Sequence, residues 1–484
     1  MHRVTTIQPH ALFDVAATRR IEEAATASLP AHALMQRAGL RAAQLAMAIA
    51  PHARTAWVAC GPGNNGGDGL EAAMHLRRWG RDVTVTWLGS EAGAPPDALA
   101  SLRRAQDAGV AFAGEPPAQF GLCMDALLGI GASRPAEGRM AQWIALMNRG
   151  GAPVLAIDIP SGLAADTGCL QGPCIQADHT LTLLTLKPGL FTGSGRDAAG
   201  SIWFDDLGIA APEAGLPEPA ARLCSAPDTL QRLHASHKGT HGDVAIIGGA
   251  QGMTGAALLA ASAALHAGSG RVLVGLLDGG SMGVDVAHPE LMFRSVDSLD
   301  FRSMAVACGC GGGTDAVRAV LPRACSTAGR LVLDADALNA IAQDSQLQAL
   351  LAARAARGAP AVITPHPLEA ARLLGTSTAD VQANRLAAAR ELAGRFNCTA
   401  VLKGSGTVIA APGKMSAINP TGNARLGTAG TGDVLAGLIA ARLATGMPAF
   451  QTACESVWLH GSAADHWPEG RALTASRLAR SFSA

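Results

Sequence analysis

Short β-rich runs alternate with helix-forming segments along most of the chain, and this alternation restricts the possible folds more than any other feature. Each run ends in a turn, and segments rich in Ala, Leu and Arg, such as residues 71–79, separate the runs. Strands that alternate with helices form parallel sheets covered by helices, so the sequence predicts an α/β fold. The predicted strands are residues 55–59, 83–88, 122–126, 154–157 and 180–186, followed by residues 244–247, 272–276, 305–307, 331–333, 361–363 and 400–402.

A proline-rich stretch divides this alternation into two halves. Residues 208–228 have no sustained apolar periodicity and carry four prolines, which is typical of an interdomain linker. The 484 residues also exceed what one hydrophobic core usually organises. We therefore predict two domains, residues 1–215 and residues 225–484. The four prolines are Pro212, Pro217, Pro219 and Pro227.

Charge and composition exclude several classes of protein. Lys and Arg together number 38, as do Asp and Glu, and this zero net charge argues against a general nucleic-acid binder with a basic face. Residues 1–14 contain no apolar signal segment, and no apolar run is long enough to span a membrane. The 10 cysteines form no CxxC pair, and Cys308 and Cys310 are too close for the usual zinc-ligand spacing, which favours reduced core thiols. We expect a cytoplasmic protein that binds neither nucleic acid nor a membrane.

The turn after the first predicted strand, residues 61–69, reads GPGNNGGDG. Its glycines fit the GxGxxG pattern of dinucleotide-binding turns, but that pattern alone is also typical of an ordinary tight turn. The amides of Asn64 and Asn65 and the carboxylate of Asp68 strengthen the binding interpretation. Polar groups and free backbone N–H groups before a helix suit a phosphate or another polar ligand. We therefore predict a Rossmann-like first domain with a polar ligand site at this turn.

Polar residues also follow the other predicted strands of the first half. Asp125 ends one strand, Asp158 and Ser161 follow the next, and Lys187 follows another. Because ligands of open parallel sheets bind outside the carboxyl ends of the strands, we expect Asp125, Asp158 and Ser161 to meet Asn65 at one edge. Oxygen ligands of this kind suit a hard cation. A single carboxylate after a strand more often caps a helix, but several matched strand ends favour a site.

Three motifs in order give the first half a family resemblance. GPGNNGGDG, DALLGIG at residues 125–131 and AIDIPSG at residues 156–162 resemble the NAD(P)H-hydrate epimerases over residues 1–207. The resemblance implies that Asn65, Asp125 and Ser161 hold potassium and that Asp158 contacts the nicotinamide end as the catalytic carboxylate. Related domains also serve as non-catalytic scaffolds, but the complete polar set here favours an enzyme. The substrate contacts implied by resemblance are Asn64, Asn65, Gly66, Gly67, Asp68, Gly129, Ile130, Gly131, Ala132, Ser133, Arg134, Pro135 and Asp158.

The strongest signal in the second half is GTAGTGD at residues 427–433, directly before an apolar helix. The N–H groups of Gly430, Thr431 and Gly432 can form an anion hole, helped by the helix dipole. Asp433 would then lie beside bound phosphates, where a carboxylate can take a proton from a hydroxyl nucleophile. This element resembles the GxGD turn of the ribokinase-like fold, so we predict a ribokinase-like α/β second domain.

Further motifs narrow the resemblance of the second half. KGTHGD, GGAQGMTGA, TPHPLEAARLL and KGSGT, at residues 238–243, 248–256, 364–374 and 403–407, resemble ADP/ATP-dependent NAD(P)H-hydrate dehydratases over residues 226–484. One departure is that the usual Gly-Pro-Gly-Leu-Gly loop reads GCGGG at residues 309–313. The resemblance implies that the hydrated substrate contacts Ala256, Gly311, His366 and Asp433, and that the adenine nucleotide contacts Lys403, Gly404, Ser405, Gly406, Thr407 and Gly432.

Some residues of the second half remain open to a structural interpretation. A lone histidine is more often structural, but the position of His366 between two prolines in a family motif favours substrate contact. Asp334 and Asp336 follow a predicted strand and either cap a helix or take part in a metal-linked role. The glycines near Ala256 let a planar ligand approach the backbone or simply allow close helix–sheet packing.

The two resemblances together imply repair of hydrated NAD(P)H. One domain would interconvert the R and S epimers, and the other would dehydrate the S epimer at the expense of ADP, giving NAD(P)H, AMP and phosphate. Potassium is expected in the epimerase and Mg²⁺ with ADP in the dehydratase. We expect a homo-oligomer. The alternatives are a ribokinase-like sugar or vitamin kinase fused to a nucleotide-binding domain, a dehydrogenase based on residues 61–66, and a non-enzymatic scaffold.

Overall fold

The computed structural model describes residues 1–132, 134–209, 217–228 and 234–482. The chain divides into two compact units, Met1–Thr5 with His10–Ala221 and Thr6–Pro9 with Arg222–Ala484. The second unit thus includes a short N-terminal segment that the sequence did not predict. Ser133, Pro212 and the predicted domain boundary at residue 215 lie outside the described residues.

The first unit is built on a sheet of order β1-β9-β8-β7-β6-β3-β4-β5, in which β1 pairs antiparallel with β9 and the other pairs are parallel. The central strands are buried on both faces, as expected for a parallel sheet covered by helices. The strands of this sheet are β1 (His2–Arg3), β3 (Thr55–Cys60), β4 (Asp82–Trp87), β5 (Ala111–Ala113), β6 (Leu122–Ala126), β7 (Val154–Ile157), β8 (His179–Leu183) and β9 (Ser201–Asp205), and the short strand β2 (Ala11–Leu12) lies in the first unit but outside this sheet. Its helices are α1 (Val15–Ser28), α2 (Ala33–Ile49), α3 (Asn64–Arg78), α4 (Pro96–Asp107), α5 (Gly138–Arg149) and α6 (Gly195–Ala198).

The helix after β3 begins earlier than predicted. The sequence predicted a helix after residue 69, but α3 already begins at Asn64, within the glycine motif. The glycines lie within the first turns of this helix and let it approach the strand ends closely. A Cβ on Gly66 would overlap the Gly61 carbonyl, and one on Gly69 would lie 2.5 Å from the Cβ of Ala126. Strand β8 also ends earlier than predicted, since Leu184 has a φ of 65°.

The second unit contains a sheet whose strands run in the order β13-β12-β11-β14-β15-β16-β17-β18-β19-β10. Pairing is parallel from β13 to β17, antiparallel at β17–β18 and β18–β19, and parallel at β19–β10. The strands are β10 (Ala221–Leu223), β11 (Asp243–Gly248), β12 (Arg271–Leu276), β13 (Met292–Phe293), β14 (Ala305–Cys308), β15 (Arg330–Leu333), β16 (Ala361–Ile363), β17 (Thr399–Leu402), β18 (Val408–Ala410) and β19 (Ala417–Ile418). The helices are α7 (Thr254–His266), α8 (Thr314–Thr327), α9 (Asp336–Ala342), α10 (Ser345–Ala352), α11 (Pro367–Leu374), α12 (Thr378–Ala383), α13 (Arg385–Phe396), α14 (Thr431–Ala444), α15 (Ala449–Asp465) and α16 (Ala475–Ala479).

Helices α7 and α14 pack together in the core of the second unit. A Cβ on Gly437 of α14 would overlap the carbonyl oxygen of Ala260 on α7, so glycine permits this close approach. Small and aliphatic side chains of both helices are buried against the sheet. The predicted α/β class with parallel sheets is therefore confirmed. Across the described ranges, no helix combines the length and apolar character needed to cross a membrane.

Candidate active sites

The three oxygen-bearing residues predicted at strand ends of the first unit lie together. The Ser161 hydroxyl donates to Asp125 Oδ1 at 2.6 Å, and the Ser161 N–H donates to Asp125 Oδ2 at 2.8 Å. The Asn65 amide donates to the Leu128 carbonyl at 2.9 Å, and the Leu128 N–H donates to the Ser161 hydroxyl at 2.8 Å. Folding of β6, β7 and α3 thus brings Asn65, Asp125 and Ser161 to one edge of the sheet.

Burial dominates the electrostatics of this cluster. Asp125 and Ser161 are fully buried, and burial raises the pKa of Asp125 to about 6 although hydrogen bonds from Ser161 oppose the shift. Asn65 is also buried, and its Oδ1 atom has no hydrogen-bond partner among the described residues. A buried acceptor left without a donor is unfavourable, so this oxygen suits a cation.

Asp158 lies on the turn after β7 and has a φ of 68°, an uncommon conformation for a residue other than glycine. The Lys187 ammonium forms an ion pair with its carboxylate. Lys187 is buried, and its Nζ also donates to the Leu183 carbonyl at 2.8 Å and the Thr182 hydroxyl at 3.2 Å. Lys187 was predicted only to follow a strand, and no role was predicted for it.

A cavity of about 430 Å³ opens beside this ion pair. Glu22 of α1 lines it, which no sequence motif indicated. The pKa of Glu22 and that of Asp68 are both raised, first by burial and next by the charge of Asp158. The other predicted residues that line this cavity are Asn64, Asn65, Gly129, Ile130, Gly131 and Ala132.

The remaining predicted substrate contacts of the first unit lie elsewhere. Arg134 and Pro135 line a neighbouring cavity of about 410 Å³. Gly66 packs against the backbone of the glycine motif, and a Cβ on Gly67 would lie 2.6 Å from the Met35 side chain. Gly66 and Gly67 therefore support helix packing, while Ser133 lies outside the described residues.

In the second unit, Asp433 lies in the first turn of α14, directly after the left-handed Gly430. The Cys310 sulfur and carboxylate oxygens of Asp334 and Asp433 lie within 4.8 Å of one another. Burial, followed by the charge of Asp334, raises the pKa of Asp433 to about 6. A carboxyl group with this pKa is largely ionised at neutral pH and can still accept a proton efficiently.

Asp334 forms the charged centre of this site rather than a helix cap. Lys403 Nζ donates to Asp334 Oδ1 at 2.7 Å, and the Thr364 hydroxyl donates to the same oxygen at 2.9 Å. Burial opposes the charge of Lys403, but Asp334 and Glu369 raise the pKa of this lysine, so it stays an ammonium. A Cβ on Gly432 would lie 3.4 Å from Lys403 Nζ, which places Gly432 beside the ion pair.

His366 has a structural role, and its predicted substrate contact stays a prediction. Its Nδ1 accepts from the N–H groups of Leu368 and Glu369, at 3.1 and 3.4 Å, and so caps α11. The side chain remains half-exposed, and burial, together with Lys403, lowers its pKa. The neutral ring can therefore cap the helix while its exposed edge contacts a ligand.

The glycine-rich loops of the second unit lie close to neighbouring segments of the chain. Gly311 has a φ of 56°, and a Cβ there would lie 2.7 Å from the Cβ of Ala256, so these two predicted residues are neighbours. The loop from Lys403 to Thr407, which includes Gly404, Ser405 and Gly406, directly follows β17. The buried Arg385 donates to the Leu402 and Lys403 carbonyls at 3.1 Å each and fixes the start of this loop. No motif indicated Arg385.

Asp336 begins α9, and its Oδ2 accepts from the Gly313 N–H at 2.9 Å. This hydrogen bond fixes the GCGGG loop against the start of α9. Asp336 thus makes a backbone contact, and its metal-linked role stays a prediction.

Comparisons with known proteins match both halves. The family model described as YjeF-related protein N-terminus matches residues 31–189, and the one described as NAD(P)H-hydrate dehydratase matches residues 244–483. The ADP-dependent (S)-NAD(P)H-hydrate dehydratase of Neisseria meningitidis serogroup B is 45% identical over 255 residues, 51% of this chain and 84% of the relative. A crystal structure of the Bacillus subtilis ADP/ATP-dependent NAD(P)H-hydrate dehydratase with ATP/Mg²⁺ is 30% identical and covers 51% of this chain and 90% of its own, with a TM-score of 0.43.

Other relatives extend over both halves. The bifunctional NAD(P)H-hydrate repair enzyme of Escherichia coli (strain K12) is 37% identical over 473 residues, 94% of this chain and 90% of the relative. The enzyme of the same name from Moorella thermoacetica is 37% identical over 479 residues, 90% of this chain and 88% of the relative. These matches confirm the resemblance that the motifs indicated, and the chain belongs to the family of bifunctional NAD(P)H-hydrate repair enzymes.

Proposed function

We propose that this chain repairs hydrated NAD(P)H in two steps. Residues 1–215 interconvert the R and S epimers, and residues 225–484 dehydrate the S epimer with ADP to give NAD(P)H, AMP and phosphate. The observation that carries the proposal is the position of Asp433, at a glycine-rich helix start beside the Asp334–Lys403 ion pair. This arrangement suits transfer of a phosphoryl group to a hydroxyl.

Dehydration begins at the ring hydroxyl of the hydrate, because hydroxide itself leaves poorly. Asp433 takes the hydroxyl proton while the oxygen attacks the terminal phosphorus of ADP, and the bond to AMP breaks. The N–H groups at Gly430–Gly432 stabilise the transferring phosphoryl group. The ring nitrogen then expels phosphate, and loss of a proton from the neighbouring ring carbon restores the double bond of NAD(P)H.

We propose that Mg²⁺ enters this site with ADP. The donor set around Asp433 includes a thiol, and Lys403 already occupies Asp334, so these side chains do not form a closed cage for a hard ion. The ADP phosphates, which would face Gly432 and Lys403, would supply most of the oxygen ligands of the ion. Mg²⁺ would neutralise the charge that develops on the phosphates during transfer.

In the epimerase, we assign Asp158 as the catalytic carboxylate and Lys187 as its partner. Their ion pair borders the 430 Å³ cavity, and Asn64, Asp68 and the loop at Gly129 face the same space. Lys187 orients Asp158, since the buried ammonium is itself held by two further acceptors at the end of β8, Thr182 and Leu183.

The cluster of Asn65, Asp125 and Ser161 fits the potassium ion that we propose for the epimerase. Asn65 Oδ1 is a buried acceptor without a donor among the described residues, and Asp125 supplies one formal negative charge. All three side chains offer oxygen and none offers sulfur or imidazole, which disfavours zinc and copper. A single carboxylate is little charge for calcium, so the donor set favours a monovalent cation.

We further propose that the protein works in the cytoplasm as a homo-oligomer. Nine cysteines of the described ranges, all except Cys169, are buried free thiols, as expected in a reducing compartment. Light scattering of the purified chain tests the oligomer, because a monomeric mass at working concentration would exclude it.

The central experiment mixes purified protein with hydrated NADH and ADP and follows the absorbance of reduced nicotinamide. Recovery of absorbance with equal release of AMP and free phosphate supports the proposal. A stable phosphorylated product without recovered absorbance would instead show a sugar- or vitamin-type kinase. Asp433→Asn is the matched control, because it keeps the shape of the side chain and removes the base.

A further inference from the structure

Cys310 occupies a fixed position at the centre of the second unit. It follows β14, and its carbonyl accepts from the Gly249 N–H at 3.0 Å. The flanking glycines have φ angles of 120° at Gly309 and 56° at Gly311, which side-chain-bearing residues rarely adopt. The loop therefore has little freedom, and the Cys310 side chain is buried with 1% exposure.

The thiol of Cys310 faces the reacting end of the site. Its sulfur lies within 4.8 Å of carboxylate oxygens of Asp334 and Asp433, and donation from the thiol would lower the pKa of Asp433. Burial raises the pKa of Cys310 well above its usual range, and the charges of the two carboxylates raise it further. The thiol thus keeps its proton, and only the thiol can donate in this contact when Asp433 is ionised.

We propose that Cys310 is a positioning residue for dehydration, whose thiol donates to the Asp433 carboxylate and holds it ionised and oriented toward the substrate hydroxyl. The inference rests on the proposed role of Asp433 as the base. The departure of this loop from the Gly-Pro-Gly-Leu-Gly pattern puts a donor where proline would carry none.

Other charged groups also face Asp433, and they affect its pKa together with the thiol. Asp334 after β15 and Asp336 at the start of α9 disfavour the ionised form of Asp433, whereas Lys403 after β17 favours it. Lys403 forms an ion pair with Asp334, so the negative charge of Asp334 partly offsets the effect of Lys403 on Asp433. Removing the thiol donor leaves Asp433 between two carboxylates, so its pKa should rise.

The test compares the pH dependence of dehydration in four variants of the full-length chain. Cys310→Ala and Cys310→Val remove the donor with different side-chain volumes, and Cys310→Ser keeps a donor. Cys308→Ala is the matched control, because Cys308 is equally buried two residues earlier and the titratable group that affects it is the Cys325 thiol rather than a carboxylate. Infrared difference spectra against Asp433→Asn follow ionisation of the Asp433 carboxyl without any substrate.

Both donor-free variants should shift the acid limb of dehydration and the infrared titration upward by roughly half a pH unit, so the rate below the midpoint falls about threefold. Cys310→Ser and Cys308→Ala should titrate as the unmodified chain does. If Cys310→Ala does not fold, Cys310→Val carries the comparison. An unchanged Asp433 titration in the donor-free variants, or an equal shift in Cys310→Ser, would overturn the proposal. Failure of the unmodified chain to dehydrate hydrated NADH would overturn the proposed function alone, since the infrared titration still reports the thiol contact.

Discussion

Replacing Lys187 with Met should both destabilise the first unit and slow epimerisation. Lys187 has a 1% exposed side chain, and Asp158, its ion-pair partner, is 14% exposed. Methionine fills similar space without charge, so Asp158 loses its cation while it stays mostly buried. Removing one partner of a buried ion pair usually costs about 3–5 kcal/mol, and we expect roughly 3 kcal/mol because Asp158 borders an open cavity.

The loss of stability and the loss of activity have the same origin in this variant. Without the ammonium, the Asp158 carboxylate can move on its strained turn, and a displacement of about 1 Å at a reacting group costs about 100-fold in rate. Denaturant unfolding measures the free energy of unfolding, and separation of the two epimers over time measures the rate. Dehydration of the pure S epimer by the same sample shows that the second unit remains active.

Two controls distinguish the ion pair from general damage. Arg77→Met removes one member of the exposed pair with Asp82 in the same unit and should change the free energy of unfolding by less than about 1 kcal/mol. Combining Lys187→Met with Asp158→Asn removes the uncompensated charge and should recover part of the stability but none of the epimerisation. Unchanged stability and a rate within twofold in Lys187→Met would refute the reasoning.

Three further predictions concern the base, the cation and the domain boundary. Asp433→Asn should reduce dehydration at least about 100-fold and leave epimerisation intact; in the unmodified chain the rate should rise with pH through about 6, reaching only about 10% of its plateau at pH 5, because the base must be ionised. Epimerisation should be faster in potassium than in a bulky organic cation at equal ionic strength, Asp125→Ala should abolish the difference, and equal rates in a folded protein would exclude the ion site. A fragment ending near Gly208 should epimerise and one starting near Ala226 should dehydrate only the S epimer; two insoluble fragments would count against independent domains.

Local sequence patterns predicted the strands and the residues at their ends. Apolar, β-branched runs bounded by turns predicted most parallel strands of both units but missed β5, β9 and β13. The polar residues at the ends of the predicted strands lie together, as sheet topology requires. Asn65, Asp125 and Ser161 are an example, since each lies at or shortly after the end of a strand and parallel strands direct their carboxyl ends to one edge.

Contacts between distant segments could not be predicted in the same way. The pairing of Lys187 with Asp158 depends on β7 and β8 being neighbours and on a turn at Leu184 that no local pattern indicates. Glu22 belongs to an amphipathic helix, where an acidic residue usually lies on the solvent-exposed face and has no functional role. The early start of α3 was missed because glycines, poor helix formers by propensity, are retained there for close packing on the strand ends.

The two units use lysine differently, and this difference explains how each candidate carboxylate can work. In the first unit Lys187 pairs with Asp158 itself, so the acting carboxylate is held by its own cation. In the second unit Lys403 pairs with Asp334, and Asp433 is left beside that carboxylate, where burial and the charge of Asp334 raise its pKa to about 6. A carboxylate with a pKa near neutrality, such as Asp433, suits removal of a proton from a hydroxyl. Lys403 is paired with Asp334 but can still contact the phosphates of a bound nucleotide. Lys187 of the first unit therefore fixes the position of Asp158. Lys403 of the second unit instead pairs with Asp334 beside the proposed phosphate site, and the pKa of Asp433 stays raised.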